Sequence, residues 1–270
     1  MAKKKRILYV SQEIKPYTKS STLSETARYL PQAMNESGFE VRLFMPRFGS
    51  INERRHQLHE VIRLSGINLI VNDLDQPLII KVASVPQARM QVYFIDNEEY
   101  FKRKFTTVDA DGKLFADNDE RMIFFCRGVL DTVKKLGWAP DIIHCNGWMS
   151  SLLPLYLKKM HKDDPMFANT KVVYSDYNNT FEGTLNTELL NKVKFDGFDD
   201  EEVAELKEPT YENLQKFALK YAVGFVKTEE TPEAITSFAT ENEIPTRDLC
   251  EKEAYKEDFP EFYKSFLEEE

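Results

Sequence analysis

Residues 6–11 (Arg-Ile-Leu-Tyr-Val-Ser), 23–37 (Leu-Ser-Glu-Thr-Ala-Arg-Tyr-Leu-Pro-Gln-Ala-Met-Asn-Glu-Ser) and 40–45 (Glu-Val-Arg-Leu-Phe-Met) decide the fold between them. The first is a short apolar run without helical period, which reads as a strand buried on both faces. In the second, Leu23, Ala27, Leu30 and Met34 recur at helical spacing. Ser21, Thr22 or Ser24 can cap that helix, and Gly38 fits its stop. The third is another strand, closed by Pro46. Strand, helix, strand in this order imply a right-handed crossover and a parallel sheet.

Working outward, further strands are expected over residues 66–71, 78–85, 90–95, 141–144, 171–174 and 224–227. Helices are expected over 119–136, 150–160 and 212–222. The alternation predicts a doubly wound, mostly parallel Rossmann-like α/β domain, with ligands outside the carboxyl ends of the strands. The loops after three strands, 11–19, 146–148 and 177–183, are expected to converge at one rim. The division expected is an α/β domain over residues 1–228 and an acidic helical extension over 229–270. Within that extension, Phe259, Phe262, Tyr263, Phe266 and Leu267 have near-helical spacing and are expected to dock on the domain.

Charge narrows the function. The net charge is −9, and residues 229–270 hold 14 acidic against 4 basic side chains, so the acidity belongs to the tail. Nucleic-acid binding needs a concentrated basic face, and the short run Lys3–Arg6 does not supply one. The apolar stretch after that run is too short for a signal peptide or a membrane span, so a cytoplasmic location without membrane contact is expected. Cys126, Cys145 and Cys250 have unrelated spacings, which gives no disulfide framework and no metal pattern. No cofactor is expected. Cys145 beside His144 suggests a Cys–His nucleophile, but neighbours on a strand point to opposite faces.

Three motifs carry the remaining information: Lys19-Ser20-Ser21-Thr22-Leu23, His144-Cys145-Asn146-Gly147-Trp148, and Ser175-Asp176-Tyr177-Asn178 with Phe181-Glu182-Gly183. Between them lie Asp117-Asn118-Asp119-Glu120-Arg121, where capping and ion pairs are expected to fix a helix start, and Arg42-Leu43-Phe44-Met45-Pro46-Arg47-Phe48-Gly49. In order and spacing this set resembles the glycogen and starch synthases through most of residues 6–228. There the three motifs read K-T-G-G-L, H-x-H-D-W and T-x-H-N-x-x-Y-Q-G. The resemblance implies the N-terminal lobe of a two-lobed GT-B glycosyltransferase that moves glucose from ADP-glucose to an α-1,4-glucan. The roughly 40 residues after 228 are too few for a second Rossmann lobe, so donor turnover by this chain alone is not expected.

The reactive positions depart from the family. Lys19 is kept, but Ser21 and Thr22 replace the glycines that would let an anion approach backbone N–H groups. Glu25 stands for the family's aspartate. His144 is kept, while Asn146 and Gly147 replace the second histidine and the aspartate. Tyr177 replaces the active-site histidine, with Asn178 retained. Asp176 and Glu182 add carboxylates that would repel a phosphate-bearing donor. No catalytic residue is therefore assigned with the degenerate positions Asn146, Gly147 and Tyr177. The candidate substrate-binding set is Lys19, Glu25, His144, Trp148, Tyr177 and Asn178, with Trp148 and Tyr177 as sugar-stacking rings. The expected reading is a pseudoenzyme that holds an α-glucan, a nucleotide-sugar, or a protein partner at the exposed interlobe face. The alternatives are a catalytic half completed by a separate donor-binding chain, or another small-molecule site on the same fold.

Overall fold

The computed structural model describes residues 4–267, so Lys3 of the basic run lies outside the described residues. Ten strands form the sheet system: β1 (Arg6–Ser11), β2 (Glu40–Pro46), β3 (His59–Glu60), β4 (Ile67–Val71), β5 (Leu74–Ser84), β6 (Gln91–Asp96), β7 (Ile142–Asn146), β8 (Lys171–Ser175), β9 (Gly224–Lys227) and β10 (Thr246–Asp248). Their order is β10-β9-β8-β7-β1-β2-β6-β5-β3, with β4 paired to β5. Every pair from β10 to β6 is parallel, and β5 runs antiparallel to β6, β3 and β4. The expected mostly parallel α/β fold is present, with an antiparallel flank.

The parallel strands are buried on both faces because helices cover both. Ile7, Leu8 and Val10 of β1, and Ile142, Ile143 and Cys145 of β7, have no exposed surface. Helix α1 (Thr22–Glu36) buries Leu23, Ala27, Leu30 and Met34, the stripe read from the sequence. Its start is closed by a reciprocal cap: Ser21 Oγ accepts from Ser24 N, and Ser24 Oγ from Ser21 N. The long helix Asn118–Leu136 buries Met122, Phe125, Val129 and Val133 and ends at Gly137 in the left-handed region.

The expected side-chain cap at that helix start is absent, and the signature works through ion pairs and a buried arginine. Asp117 makes no side-chain cap and pairs with Arg103 instead. Arg121 is fully buried, donating to the Tyr100 carbonyl at 2.8 Å and to Asn118 Oδ1 at 2.6 Å. Burial lowers its guanidinium pKa to about 10. Lys192 bridges Asp119 at 2.6 Å and Glu120 at 2.7 Å, which ties the helix to the loop region after β8.

Two expectations are corrected. The single helix over 150–160 is broken into a 3₁₀ turn (Trp148–Ser150), a short α turn (Leu153–Leu155) and a π turn (Tyr156–Met160). Pro154 has no N–H to bond back to the preceding turn, so it sits at the start of the α turn instead of inside a helix. The segment after residue 228 is not purely helical: Thr246–Asp248 joins the sheet edge beside β9. The tail helix Tyr255–Lys264 docks as expected, with Phe259 and Tyr263 fully buried. No helix among the described residues is long and apolar enough to cross a membrane.

Candidate functional site

The three motif loops follow the carboxyl ends of β1, β7 and β8, and they meet at one rim. Beneath that rim the replaced positions form a closed polar chain. Tyr9 donates its hydroxyl to Tyr263 at 3.0 Å, and Tyr263 meets His144 Nδ1 at 2.7 Å. His144 Nε2 bonds Ser175 Oγ, and Tyr177 donates to Asn146 Oδ1 at 2.7 Å. Asn146 Nδ2 closes the set on the His144 carbonyl at 2.9 Å. Donation from Tyr9 through Tyr263 to His144 Nδ1, and from His144 Nε2 to Ser175, leaves the imidazole neutral. Burial holds the His144 pKa down to about 3 and pushes the Tyr177 phenol up.

Three of the expected substrate contacts are buried instead. His144 has no exposed surface, and Tyr177 is 5 % exposed with its hydroxyl turned inward to Asn146. Trp148 is 2 % exposed and packs edge-on against Phe181 at 5.2 Å between ring centroids. The half-buried Phe181, not Trp148, offers its side chain to the rim. Asp176 is buried as well. It accepts from the Tyr211 hydroxyl and from the Asn178 N–H, so it does not face an incoming donor. Its pKa is raised by burial, against the lowering effect of Tyr211. Cys145 and Cys126 are buried thiols with raised pKa values, which suits packing and not nucleophilic attack.

Gly147 explains why the family's aspartate position is empty of side chain. Its φ is +81° and its ψ is 161°, a region essentially confined to glycine. An added Cβ would lie 2.7 Å from Gln12 Oε1 and 2.8 Å from Leu23 Cδ1. Gln12 Oε1 meanwhile accepts from the Met149 N–H at 3.1 Å. The local backbone and Gln12 fill the space an acid would use.

Around this sealed cluster lie three concavities. The largest, about 930 Å³, runs between the loop 107–116 and the loop 178–186, with Gln12, Glu13 and Trp148 at its base. Asn178, Asn179, Thr180 and Asn186 give it amide and hydroxyl groups, while Phe115 and Phe181 give it rings. Lys113 is the cation there, opposite Glu13 and Glu182. The second, about 680 Å³, opens at the start of α1 and holds Ser21, Thr22, Glu25 and Tyr177. Its remaining wall brings Glu229, Glu230 and Glu251 against one cation, Lys252. Glu25 is already engaged by Lys15 at 2.5 Å and by Ser20, and the Lys15 bond lowers its pKa. Lys19 is not in this mouth; it lines a third pocket with Arg55 and Lys104. The structure thus places Trp148 and Asn178 in the first concavity, Glu25 and Tyr177 in the second and Lys19 in the third, with His144 buried in the cluster that also holds Tyr177. Among the described residues no group of three or more His, Cys, Asp or Glu is arranged to hold a metal ion.

A mostly parallel sheet with the three motif loops on its carboxyl rim defines a doubly wound α/β lobe. The family model described as starch synthase catalytic domain matches residues 6–232. A glycogen synthase of Chlorobium limicola is 42 % identical over 190 residues, covering 70 % of this chain and 39 % of that protein. One from Chlorobaculum tepidum is 39 % identical over 189 residues, covering 69 % and 38 %. The catalytic domain of starch synthase IV from Arabidopsis thaliana, solved bound to ADP and acarbose, superposes with a TM-score of 0.74. That match is 17 % identical, covers 92 % of this chain and 51 % of the other, and shows the shared fold. The chain belongs to the glycogen and starch synthase family, and it spans 39 % of the length of the Chlorobium limicola relative.

Proposed function

We propose that this lobe binds an α-1,4-glucan in the 930 Å³ cleft and does not by itself transfer glucose to it. One observation carries the reading: His144, Asn146 and Tyr177, at the family's reactive positions, are held in a buried hydrogen-bonded cluster with Tyr9, Tyr263 and Ser175. A general acid or base must reach the reacting atoms. His144 and Tyr177 reach only each other's partners. The acidic mouth at α1 disfavours a phosphate-bearing donor, because Glu229, Glu230 and Glu251 face the place where its charge would sit. The reciprocal Ser21–Ser24 cap also occupies two of the N–H groups at that helix start.

The cleft supports the binding half. Amides and hydroxyls match sugar hydroxyls, and half-buried rings match the apolar faces of glucose. The family membership and the ADP and acarbose of the Arabidopsis starch synthase make glucan and nucleotide the ligand classes to consider. The lining favours the neutral one.

Incorporation of labelled glucose from ADP-glucose or UDP-glucose into glycogen should remain at background with the purified chain. Turnover within the ordinary enzyme range of about 1–1000 per second would reject the proposal. Maltoheptaose should bind with a Kd on the order of 1 mM, equivalent to about −4 kcal/mol. Calorimetry without heat at saturating oligosaccharide would leave a protein partner or another ligand.

A further inference from the structure

The third pocket, about 570 Å³, is basic where the other two are not. Lys19 comes from the loop after β1, Arg55 from the turn Glu53–His56, and Lys104 from the loop after Glu98–Phe101. All three are exposed, and among the described residues none forms an ion pair. Three exposed cations from three segments of the chain line one concavity, where an anion would meet all of them while solvent keeps their mutual repulsion weak. Glu13 is the carboxylate on this wall; it is engaged by Ser21 Oγ at 2.7 Å, and burial raises its pKa. The hydroxyl of Thr18 is buried here without a hydrogen-bond partner among the described residues.

Glu13 and Val108 line both this pocket and the glucan cleft, so the two are contiguous. We propose that the pocket is a subsite for a phosphate monoester carried by the bound glucan, so that the lobe prefers phosphorylated over neutral α-glucan. The inference rests on the glucan-binding reading and names the ligand more closely. A phosphate monoester bears about −1.5 to −2 charges at pH 7, which suits the three cations. Arg55 supplies planar donors that pair two phosphate oxygens at once, and the lysines act as point charges. The volume exceeds a single phosphate and suits a phosphorylated sugar unit. A nucleic acid is disfavoured, since the net charge of −9 opposes a long polyanion and the basic groups are confined to one concavity.

The test is calorimetry on the full chain with maltoheptaose, maltoheptaose bearing one 6-phosphate, and inorganic phosphate. The phosphorylated oligosaccharide should bind at least tenfold more tightly than the neutral one, and the gain should shrink at high salt. In the double variant Arg55→Ala with Lys104→Ala the gain should vanish while neutral maltoheptaose binds as before. The melting temperature of that variant should not change, because both side chains are exposed and unpaired. Equal affinity for the two oligosaccharides overturns the proposal, as does a gain that survives in the double variant. Neutral maltoheptaose that fails to bind would instead strike the glucan reading. Inorganic phosphate binding that is lost in the double variant would then still support the pocket as a phosphate site.

Discussion

The polar chain beneath the rim and the cleft beside it lie within one motif's length of each other, and they have opposite fates. In the first, Asn146, Tyr177 and His144 spend their hydrogen bonds on the protein, with no ring or amide left facing out. In the second, the next residues along the same loop, Asn178 to Glu182, are partly or fully exposed. A residue position that serves chemistry in a family can become internal structure while its neighbour stays available to a ligand. What separates the two is a partner: the tail helix brings Tyr263 onto His144, and nothing comparable among the described residues covers the cleft.

The comparison breaks most severely if the tail is removed. Deleting residues 256–270 strips Phe259 and Tyr263 from the core and leaves Tyr9 and His144 without their shared hydroxyl. Loss of one buried aromatic costs about 3–5 kcal/mol, so the melting temperature should fall sharply and the exposed face should promote self-association. An unchanged melting curve and monomer elution would show that the cluster closes without the tail.

A smaller break is Gly147→Asp, the change that restores the family residue. It must adopt a glycine-only backbone region and displace Gln12, a cost of about 1–3 kcal/mol for the backbone alone. The melting temperature should drop by several degrees, and adding Tyr177→His should not produce glucosyl transfer. Transfer by that pair would show the cluster to be reopenable by two side chains.

The protonation state of His144 sharpens the comparison further. Its folded pKa of about 3 lies below the unfolded value near 6.5, so the unfolded chain binds the extra proton first. Its contribution is therefore complete above about pH 6.5 and is lost as pH falls toward 3, at up to about 1.4 kcal/mol per unit. Buried carboxyls such as Asp176 and Asp119, whose pKa values burial raises, slope the other way. The informative quantity is the difference from a His144→Gln variant. Between pH 6.5 and 5.0 the wild type should lose about 2 kcal/mol more in urea titrations than that variant does. Parallel pH profiles would mean that the ring is reached by water.

The mildest change acts on the cleft alone. Phe181→Ala should weaken maltoheptaose binding several-fold, an effect of about 1 kcal/mol, with little change in melting temperature. Trp148→Ala should instead destabilise the fold, because that ring is packed beneath Phe181. Normal binding by the Phe181 variant would move the oligosaccharide elsewhere.

Elements whose burial is periodic were legible in the sequence. The strands at 6–11 and 40–45, the α1 stripe and the long helix after Asp117 follow from apolar spacing alone. Thr246-Arg247-Asp248 was missed as a strand because an edge strand this short and polar carries no such spacing. Pro154 was the available signal that the helix at 150–160 would break. The motif loops were correctly drawn to one rim, yet the depth of each side chain was not readable. Tyrosine and tryptophan suit a wet rim and a hydrogen-bonded interior equally well. What decides between those environments is a phenol at position 263, which no local pattern links to position 144. Lys19 was grouped with the other motif residues by order along the chain, and its pocket partners Arg55 and Lys104 belong to no motif.

The hydrogen bond between Tyr9 and Tyr263 joins residues 254 positions apart. During synthesis, β1 leaves the ribosome long before the helix that completes its hydrogen bonding has been translated. At about 5–20 residues per second, that interval lasts on the order of tens of seconds. Tyr9, and later His144 with the apolar face that Phe259 covers, stay open to solvent and to chaperones until that helix is made. The nascent chain is thus most exposed to aggregation at the region that the helix afterwards encloses most deeply.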